Sequence, residues 1–223
     1  MALPGAERDL SGALRGLESA EVSVRLRAAM AAGTDPDPRL VGALIERCAV
    51  EPEFFVRDML TWALIRHPAA LTVPALIAEL ASERAQARSQ ALHTLSKVGD
   101  RRVWPAITRA LLTDAADDEV ARSAWRTAVA FVPEGEEPGL AEVLATQFGR
   151  GGPETRLSLS RALVALGEVI VPVLRAAMEG PDAQVRQHAA ATERLLRDPE
   201  AGFEFAMEEA KRVVALGGMG REG

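Results

Sequence analysis

The residues best suited to catalysis or metal binding are three histidines and one cysteine, and their spacing favours neither. Zinc sites in a sequence usually draw on pairs of Cys or His roughly two to five residues apart. His67, His93, His188 and Cys48 all lie much further from one another than that. Cys48 stands beside an apolar stripe in the run ALIERCAV, which is typical of a small buried side chain rather than a nucleophile. The sequence therefore predicts no catalytic residue, no metal site and no cofactor.

Composition and charge restrict the class of protein further. Apolar residues make up 48% and charged residues 26% of the 223-residue chain, which is ordinary for a globular protein in water. No apolar run approaches the roughly 20 residues that span a bilayer, and the opening MALPGAERDL shows no secretory leader. A single cysteine fits a reducing cytoplasm, so we expect a cytoplasmic protein. The net charge of -6 disfavours a nucleic-acid partner.

An arginine recurs at almost constant intervals along the chain. In five helical segments it directly follows the residue at which the helical stripe begins, which we call the first position. These arginines are Arg25, Arg57, Arg88, Arg156 and Arg186. The positions that they follow, together with Val120 of the fourth segment, are 32, 31, 33, 35 and 30 residues apart. In that segment Ala121 replaces the arginine, and Arg122 comes one residue later. We predict that the repeated arginines form a structural ladder that bonds acceptors in the turns between repeats.

Apolar residues with helical spacing accompany each arginine. They recur four residues after each first position and, except in the sixth repeat, where Glu193 breaks the column, eight residues after it. This spacing places them on one face of a helix. The column four residues on is Ala28, Leu60, Ala91, Ala124, Leu159 and Ala189. A second helix follows each turn and is marked by a proline, a residue favoured in the first helical turn. These prolines are Pro38, Pro74, Pro105, Pro138 and Pro172. No segment alternates between apolar and polar residues, so no β-strand is predicted.

Helix pairs of this length cannot bury their apolar faces singly, so stacking is required. We predict an all-α fold, a right-handed α-solenoid (an α-α superhelix) of about six helix pairs that forms a single domain over residues 1–216. The approximate repeats are residues 10–49, 50–81, 82–113, 114–148, 149–179 and 180–216. The segment DPEAGFEFAMEEAKRVVAL is predicted to be a capping helix, and the Gly-rich residues 217–223 a disordered tail.

The repeat resembles a known family. The VR dipeptide, the alanine column, the endings LSKVGD and LVALGE and the second-helix proline are similar to HEAT repeats, especially the short bacterial type named after phycobilisome lyases. The resemblance covers roughly Leu10 to Leu216 and implies a bacterial protein with a curved helical surface. It is specific for the fold and nearly silent on function, because such solenoids bind many unrelated partners.

Enzymes of HEAT architecture provide three comparisons. HEAT-fold deoxyhypusine hydroxylases hold a di-iron site with His-Glu dipeptides, and no histidine here is followed by Glu. Phycobilin lyases usually need a partner subunit, and nothing beyond the repeat points to a bilin. HEAT-like alkylpurine DNA glycosylases use Trp, Asp and Arg on a basic concave face, and Trp62 lies one helical turn from both Asp58 and Arg66. The acidic chain and the mixture of Arg and Glu on its second helices argue against duplex binding.

One candidate surface is an outer row on the first helices. Residues six positions after each first position point away from the apolar stripe. They are Met30, Trp62, His93, Arg126, Arg161 and Ala191. Trp62 is the unusual member, since a large aromatic side chain facing water suggests a binding surface. The alternative is that Trp62 lies flat on its own helix over Asp58 and Arg66. Trp104 is expected at a helix joint and Trp125 in the core.

The other candidate surface is a concave groove formed by the second helices, opposite their apolar residues. Its predicted partner-binding residues are Arg109, Glu142, Glu46, Thr113 and Thr146. Mixed charges and small side chains suit a partner helix or extended peptide. We therefore predict a non-catalytic scaffold or adaptor that binds a protein through the groove or the Trp62 row. Two alternatives stay open: a DNA-binding or DNA-repair protein of the alkylpurine glycosylase kind, and an accessory module that acts on a transcription regulator.

Overall fold

The computed structural model describes residues 4–198 together with residues 207, 208 and 211. Within these residues all regular structure is helical and no β-strand occurs, which confirms the all-α prediction. Contacts divide the chain into two compact units, Met1–Ala106 and Ile107–Gly223, and each is described by itself. Most of the predicted capping helix and all of the predicted tail lie outside the described residues.

The first unit is built from six described helices. They are α1 (Pro4–Leu17), α2 (Val22–Thr34), α3 (Val41–Val50), α4 (Phe54–Arg66), α5 (Ala69–Glu79) and α6 (Ala85–Val98), with 3₁₀ turns at Pro38–Leu40 and Arg101–Ala106. The repeat pattern does not predict α1, which packs on α2. Gly16 permits this close approach, because a Cβ at that position would come within 2.8 Å of the Ala28 Cβ.

The predicted apolar stripes of α4 and α6 lie in the core of the first unit, whereas Val24 and Ala28 of the stripe predicted on α2 are only half-buried. On α4, Val56, Leu60 and Leu64 are fully buried, and the helix packs on α2, α3 and α6. Their spacing of four residues puts them on one side of the helix. The stripe therefore defines the buried side of α4, and residues at the opposite phase of the helix are left on its outer side.

The second unit contains six described α-helices. They are α7 (Arg109–Leu112), α8 (Asp118–Phe131), α9 (Glu137–Ala145), α10 (Pro153–Val164), α11 (Val171–Glu179) and α12 (Ala183–Arg197), with a 3₁₀ turn at Gly167–Ile170. Trp125 is fully buried, as predicted, and its Nε1 donates a hydrogen bond to the Leu112 carbonyl at 2.8 Å. The Asp117 carboxylate caps α8 by accepting from the backbone N–H groups of Glu119 and Val120.

Two of the proline-based helix starts are wrong. Pro74 lies inside α5, which begins five residues earlier at Ala69, and its missing N–H removes one intrahelical bond. Pro105 lies in the 3₁₀ turn Arg101–Ala106, and the helix expected to follow it is reduced to the four residues of α7. Proline disfavours α-helical geometry in the residue before it. This effect explains why a tighter turn replaces the first part of the expected helix.

In the described ranges no single helix combines the length and the hydropathy needed to cross a membrane. One bent pair, Pro153–Val164 with Gly167–Glu179, reaches that length and composition only when its two segments are joined, and they meet at 119°.

Candidate partner-binding surface

The five repeated arginines stabilise the turns that precede α2, α4, α6, α10 and α12. In Arg25, Arg57, Arg88 and Arg186, Nη1 donates to the backbone carbonyls five and six residues earlier, at 2.6–3.1 Å. Arg156 reaches the Gly151 carbonyl with Nε and the Gly149 carbonyl with Nη2. These bonds satisfy carbonyl groups in turns, so each guanidinium is engaged with its own backbone.

Arg25 also takes part in a buried ion cluster that the sequence analysis missed. Its Nε and Nη2 donate to the two carboxylate oxygens of Glu51 at 2.7 and 2.8 Å, and Arg47 Nε adds a bond of 2.9 Å. The Glu51 side chain is fully buried. Burial alone would raise the pKa of Glu51, but the hydrogen bonds from Arg25 and the Glu53 N–H, with the charge of Arg47, lower it. The cluster joins α2 to the end of α3.

Glu46, one of the predicted groove residues, already has a partner within the first unit. Its carboxylate accepts from Nη1 and Nη2 of Arg84 at 2.8 and 2.9 Å, a bidentate pair. The hydrogen bonds from Arg84 lower the pKa of Glu46. Both side chains are well exposed, so the pair links α3 to the residue before α6 without enclosing a site.

The other four predicted groove residues lie in the second unit. Arg109 is the first residue of α7 and Glu142 lies on α9, which packs against α7. Both are exposed, and neither side chain forms an ion pair with another residue in the part of the chain that the structure describes. Thr113 and Thr146 donate to carbonyls of their own helices, those of Arg109 and Val143. These four positions carry charge and polarity but no apolar anchor.

The predicted outer row is exposed in part. Met30 and Trp62 are 46% and 39% exposed, and Arg126 and Arg161 also face solvent, whereas His93 is half-buried. The row fails at Ala191, which is fully buried in a cluster with Leu195 and Met207. The reason is that Met207, which follows α12 in the chain, packs on this side of the helix. The repeat pattern does not predict that contact.

Trp62 has packing contacts on two sides. The Arg66 guanidinium lies 5.8 Å from the ring centroid, which matches half of the predicted contact with Asp58 and Arg66. The six-membered ring also lies over Gly33 of α2, where an added Cβ would come within 2.2 Å of Trp62 Cζ3. The indole is therefore held in one orientation with part of its surface open to solvent.

Sequence reasoning missed two more exposed aromatic residues at the start of α4. Phe54 and Phe55 are 64% and 75% exposed, and their rings meet edge to face at 5.6 Å. The Arg57 guanidinium lies 6.0 Å from the Phe54 ring. The available signal was the run EPEFFVRD, in which two phenylalanines precede Val56, the first residue of the buried stripe. Phenylalanine outside a buried stripe has no core to enter.

α4 carries large apolar side chains on its outer side as well as on its buried side, although the outer side also bears the exposed Asp58 and Arg66. Phe55, Met59 and Trp62 follow one another by four and three residues, so they share one face of the helix. Exposed apolar residues are concentrated in the first unit: of nine large exposed hydrophobic residues among those described, eight fall between residues 22 and 71. They are Val22, Met30, Val50, Phe54, Phe55, Trp62, Ile65 and Leu71. We refer to Phe54, Phe55, Met59 and Trp62 as the α4 outer face.

Three of the four residues with possible catalytic chemistry, Cys48, His67 and His188, are buried. Burial raises the pKa of the Cys48 thiol to about 12, which disfavours the reactive thiolate. His67 contacts the carbonyls of Ala63 and Asp37 through its two ring nitrogens. His188 accepts from the Gly149 N–H and contacts the Arg156 carbonyl. No group of three or more His, Cys, Asp or Glu side chains suited to a metal ion occurs among the described residues.

Comparison with known proteins adds no relative. A scan against models of protein families gave no match, and a search of curated protein sequences gave none.

Proposed function

We propose that this chain is a HEAT-like α-solenoid protein that performs no catalysis and binds another protein through the α4 outer face. The observation that carries the proposal is the double-sided hydrophobicity of α4. Val56, Leu60 and Leu64 fill its buried side, while Phe55 and Trp62 face solvent on the other. Large apolar side chains grouped on an exposed surface are typical of an interaction site. A partner that covers the outer side would bury them.

The exposed area is large enough to contribute to affinity. Aromatic side chains bury 150–250 Å² each, so covering Phe54, Phe55 and Trp62 would remove on the order of 350 Å² of surface from water. At about 25 cal/mol per Å² this area corresponds to about 9 kcal/mol before association costs. Those costs are roughly 4–15 kcal/mol. Contacts around the aromatic residues must therefore supply the remaining affinity.

The chemistry of this face favours a partner with an amphipathic helix. Phe55 and Trp62 lie about two helical turns apart, a spacing that matches the apolar anchors of a helix laid against a helical surface. Arg57 and Arg66 flank the aromatic rings, so acidic residues beside those anchors would gain ion pairs. Trp and Arg are also the residues most enriched where binding energy concentrates.

The solenoid arrangement is supported by the repeated arginines. Arg25, Arg57, Arg88 and Arg186 make the same pair of bonds to the same two positions upstream. Equal turns joining equal helices are what a stacked array requires. The resemblance to the short bacterial HEAT type supports a bacterial protein, and the single buried cysteine supports a cytoplasmic one.

The experiment is capture of partners from the native host, followed by mass spectrometry, with three matched variants. Phe55→Ser combined with Trp62→Ala removes the aromatic anchors. Val169→Ser removes a comparably exposed side chain from the second unit, where Val169 is 38% exposed. Arg109→Glu combined with Glu142→Arg tests the predicted groove. We expect the first variant alone to lose the partner while keeping its melting temperature within a few degrees.

Two results would contradict the proposal. If the Phe55 and Trp62 variant retains the partner and the Arg109 and Glu142 variant loses it, the groove is the binding surface. If all three variants capture the same proteins as the wild type, binding involves neither surface.

A further inference from the structure

A groove in the second unit carries an excess of arginine. It lies between α8 and α10 and has a volume of about 410 Å³. Arg122 and Arg126 of α8 and Arg161 of α10 line it together with Glu154 and Ser158, and Val129, Leu157 and Ala162 form an apolar part of its wall. We propose that this groove binds a small organic phosphate, with the phosphate on the arginines and the organic group on the apolar wall.

Arg122 does not belong to the arginine ladder. In five repeats the ladder arginine is engaged by carbonyls of its own turn, but the fourth repeat has Ala121 in that position. Arg122 is one residue further on and therefore points about 100° away around the helix. Arg150 takes over the fourth turn, where it bonds the Asp114 carbonyl and, at 2.8 Å, the Asp118 carboxylate.

The arginines of the groove have weak or few ionic partners. Arg126 Nη2 donates to Ser123 Oγ at 3.0 Å and lies 3.4 Å from the exposed carboxylate of Glu119. Arg122 Nε is buried and has no hydrogen-bond acceptor among the described residues, an arrangement that is costly for a donor. The nearest carboxylate oxygens of Glu154 and Glu119 lie 3.3 and 3.6 Å from its Nη1. Glu154 is 85% exposed and Glu119 50%, so these pairs are weak and easily displaced. Arg161 forms no ion pair within the described part of the chain.

The arginine side chains of the groove suit a phosphate. Guanidinium groups bind phosphate oxygens in pairs of parallel hydrogen bonds, and a phosphate monoester offers three terminal oxygens with close to two negative charges near neutral pH. Three arginines on two helices can reach such a group from different sides. A volume of about 410 Å³ exceeds the size of a bare phosphate and falls in the usual range of small-molecule sites. The apolar wall gives the remaining space to an organic group.

The test is isothermal titration of the full chain with phenyl phosphate, inorganic phosphate and a short DNA duplex. Variants Arg126→Gln and Arg161→Gln each remove one guanidinium, and Arg175→Gln removes an exposed arginine of α11 outside the groove. We expect the wild type to bind phenyl phosphate more tightly than inorganic phosphate. Arg126→Gln and Arg161→Gln should each weaken phenyl phosphate binding at least about tenfold, the typical loss of a charged hydrogen bond. Arg175→Gln should change it less than about twofold.

Melting temperatures of all variants separate binding from folding. Because Arg161 is exposed and unpaired within the described residues, Arg161→Gln should fold as the wild type does and carries the test if Arg126→Gln is unstable. Absence of saturable phenyl phosphate binding overturns the proposal, as does equal binding by Arg161→Gln and the wild type. Binding of the duplex without phenyl phosphate also overturns it, since the groove would then serve a nucleic-acid backbone.

Discussion

His188 should make the stability of this protein fall between pH 7.5 and pH 5. The ring is fully buried, accepts a hydrogen bond from the Gly149 N–H through Nδ1 and donates through Nε2 to the Arg156 carbonyl, which fixes the neutral tautomer. Burial lowers the pKa of His188 from 6.5 to about 4. Between these two pKa values His188 is protonated in the unfolded chain and neutral in the folded chain. The free energy of unfolding therefore decreases as the pH falls below 6.5.

The size of the effect follows from the two pKa values. At pH 5 nearly all unfolded molecules carry the proton on this histidine and few folded ones do, a difference of about 2 kcal/mol relative to pH 7.5. Below pH 4 the penalty reaches its full value of about 3 kcal/mol. Asp37 and Asp100, whose pKa values are lowered to about 2 by bonds to arginine, contribute only at lower pH.

The assay is urea unfolding of the wild type and of His188→Gln at pH 7.5 and pH 5. The variant is expected to be less stable than the wild type at pH 7.5, because the ring fills buried space. Its loss of stability on going to pH 5 should be smaller than that of the wild type by about 2 kcal/mol. Equal losses in the two proteins would refute the argument, because His188 would then bind protons equally in the folded and unfolded states.

Three further predictions concern single contacts and one alternative function. Glu51→Gln should cost about 3–5 kcal/mol in urea unfolding, because it leaves the buried Arg25 without its counter-charge, whereas Glu53→Gln at the exposed neighbour should stay within about 0.5 kcal/mol. Gly33→Ala should cost about 1–3 kcal/mol and shift tryptophan fluorescence to the red as the Trp62 ring is displaced; Gly42→Ala, where a Cβ meets nothing within 4 Å, should be neutral or stabilising. Duplex DNA should bind no more tightly than about micromolar at physiological salt, and tighter, steeply salt-dependent binding would favour the DNA-repair alternative.

The buried side of the helices could be predicted because burial repeats with the sequence period. Val56, Leu60 and Leu64 occupy the same phase as buried residues in other repeats, such as Val120, Ala124 and Ala128. The pattern is less accurate in the first and sixth repeats, where Val24 and Val185 are only half-buried. Helix starts were less predictable, since proline is compatible with several positions. Pro74 is tolerated inside α5, while Pro105 accompanies a 3₁₀ turn.

The candidate surfaces could be predicted only in part, because the exposure of a residue depends on whether another element packs over it. Trp62 was identified from its helical phase, but the space for its ring depends on Gly33, a residue 29 positions away. No other repeat has an aromatic residue at the positions of Phe54 and Phe55, so the recurring pattern does not identify them. Glu46 is paired with Arg84 across 38 residues of sequence, and no local pattern announces that contact.

Site-specific photo-crosslinking in cells of the native host tests directly whether the α4 outer face binds a protein. A photoreactive phenylalanine analogue would replace Phe55 on the α4 outer face, Glu142 at the predicted groove or Val169 as an exposed control. Position 55 is already aromatic and 75% exposed, so the replacement should not disturb folding. We predict a discrete covalent adduct with a partner protein from position 55 and none from positions 142 and 169. An adduct from position 142 with none from position 55 would contradict the account.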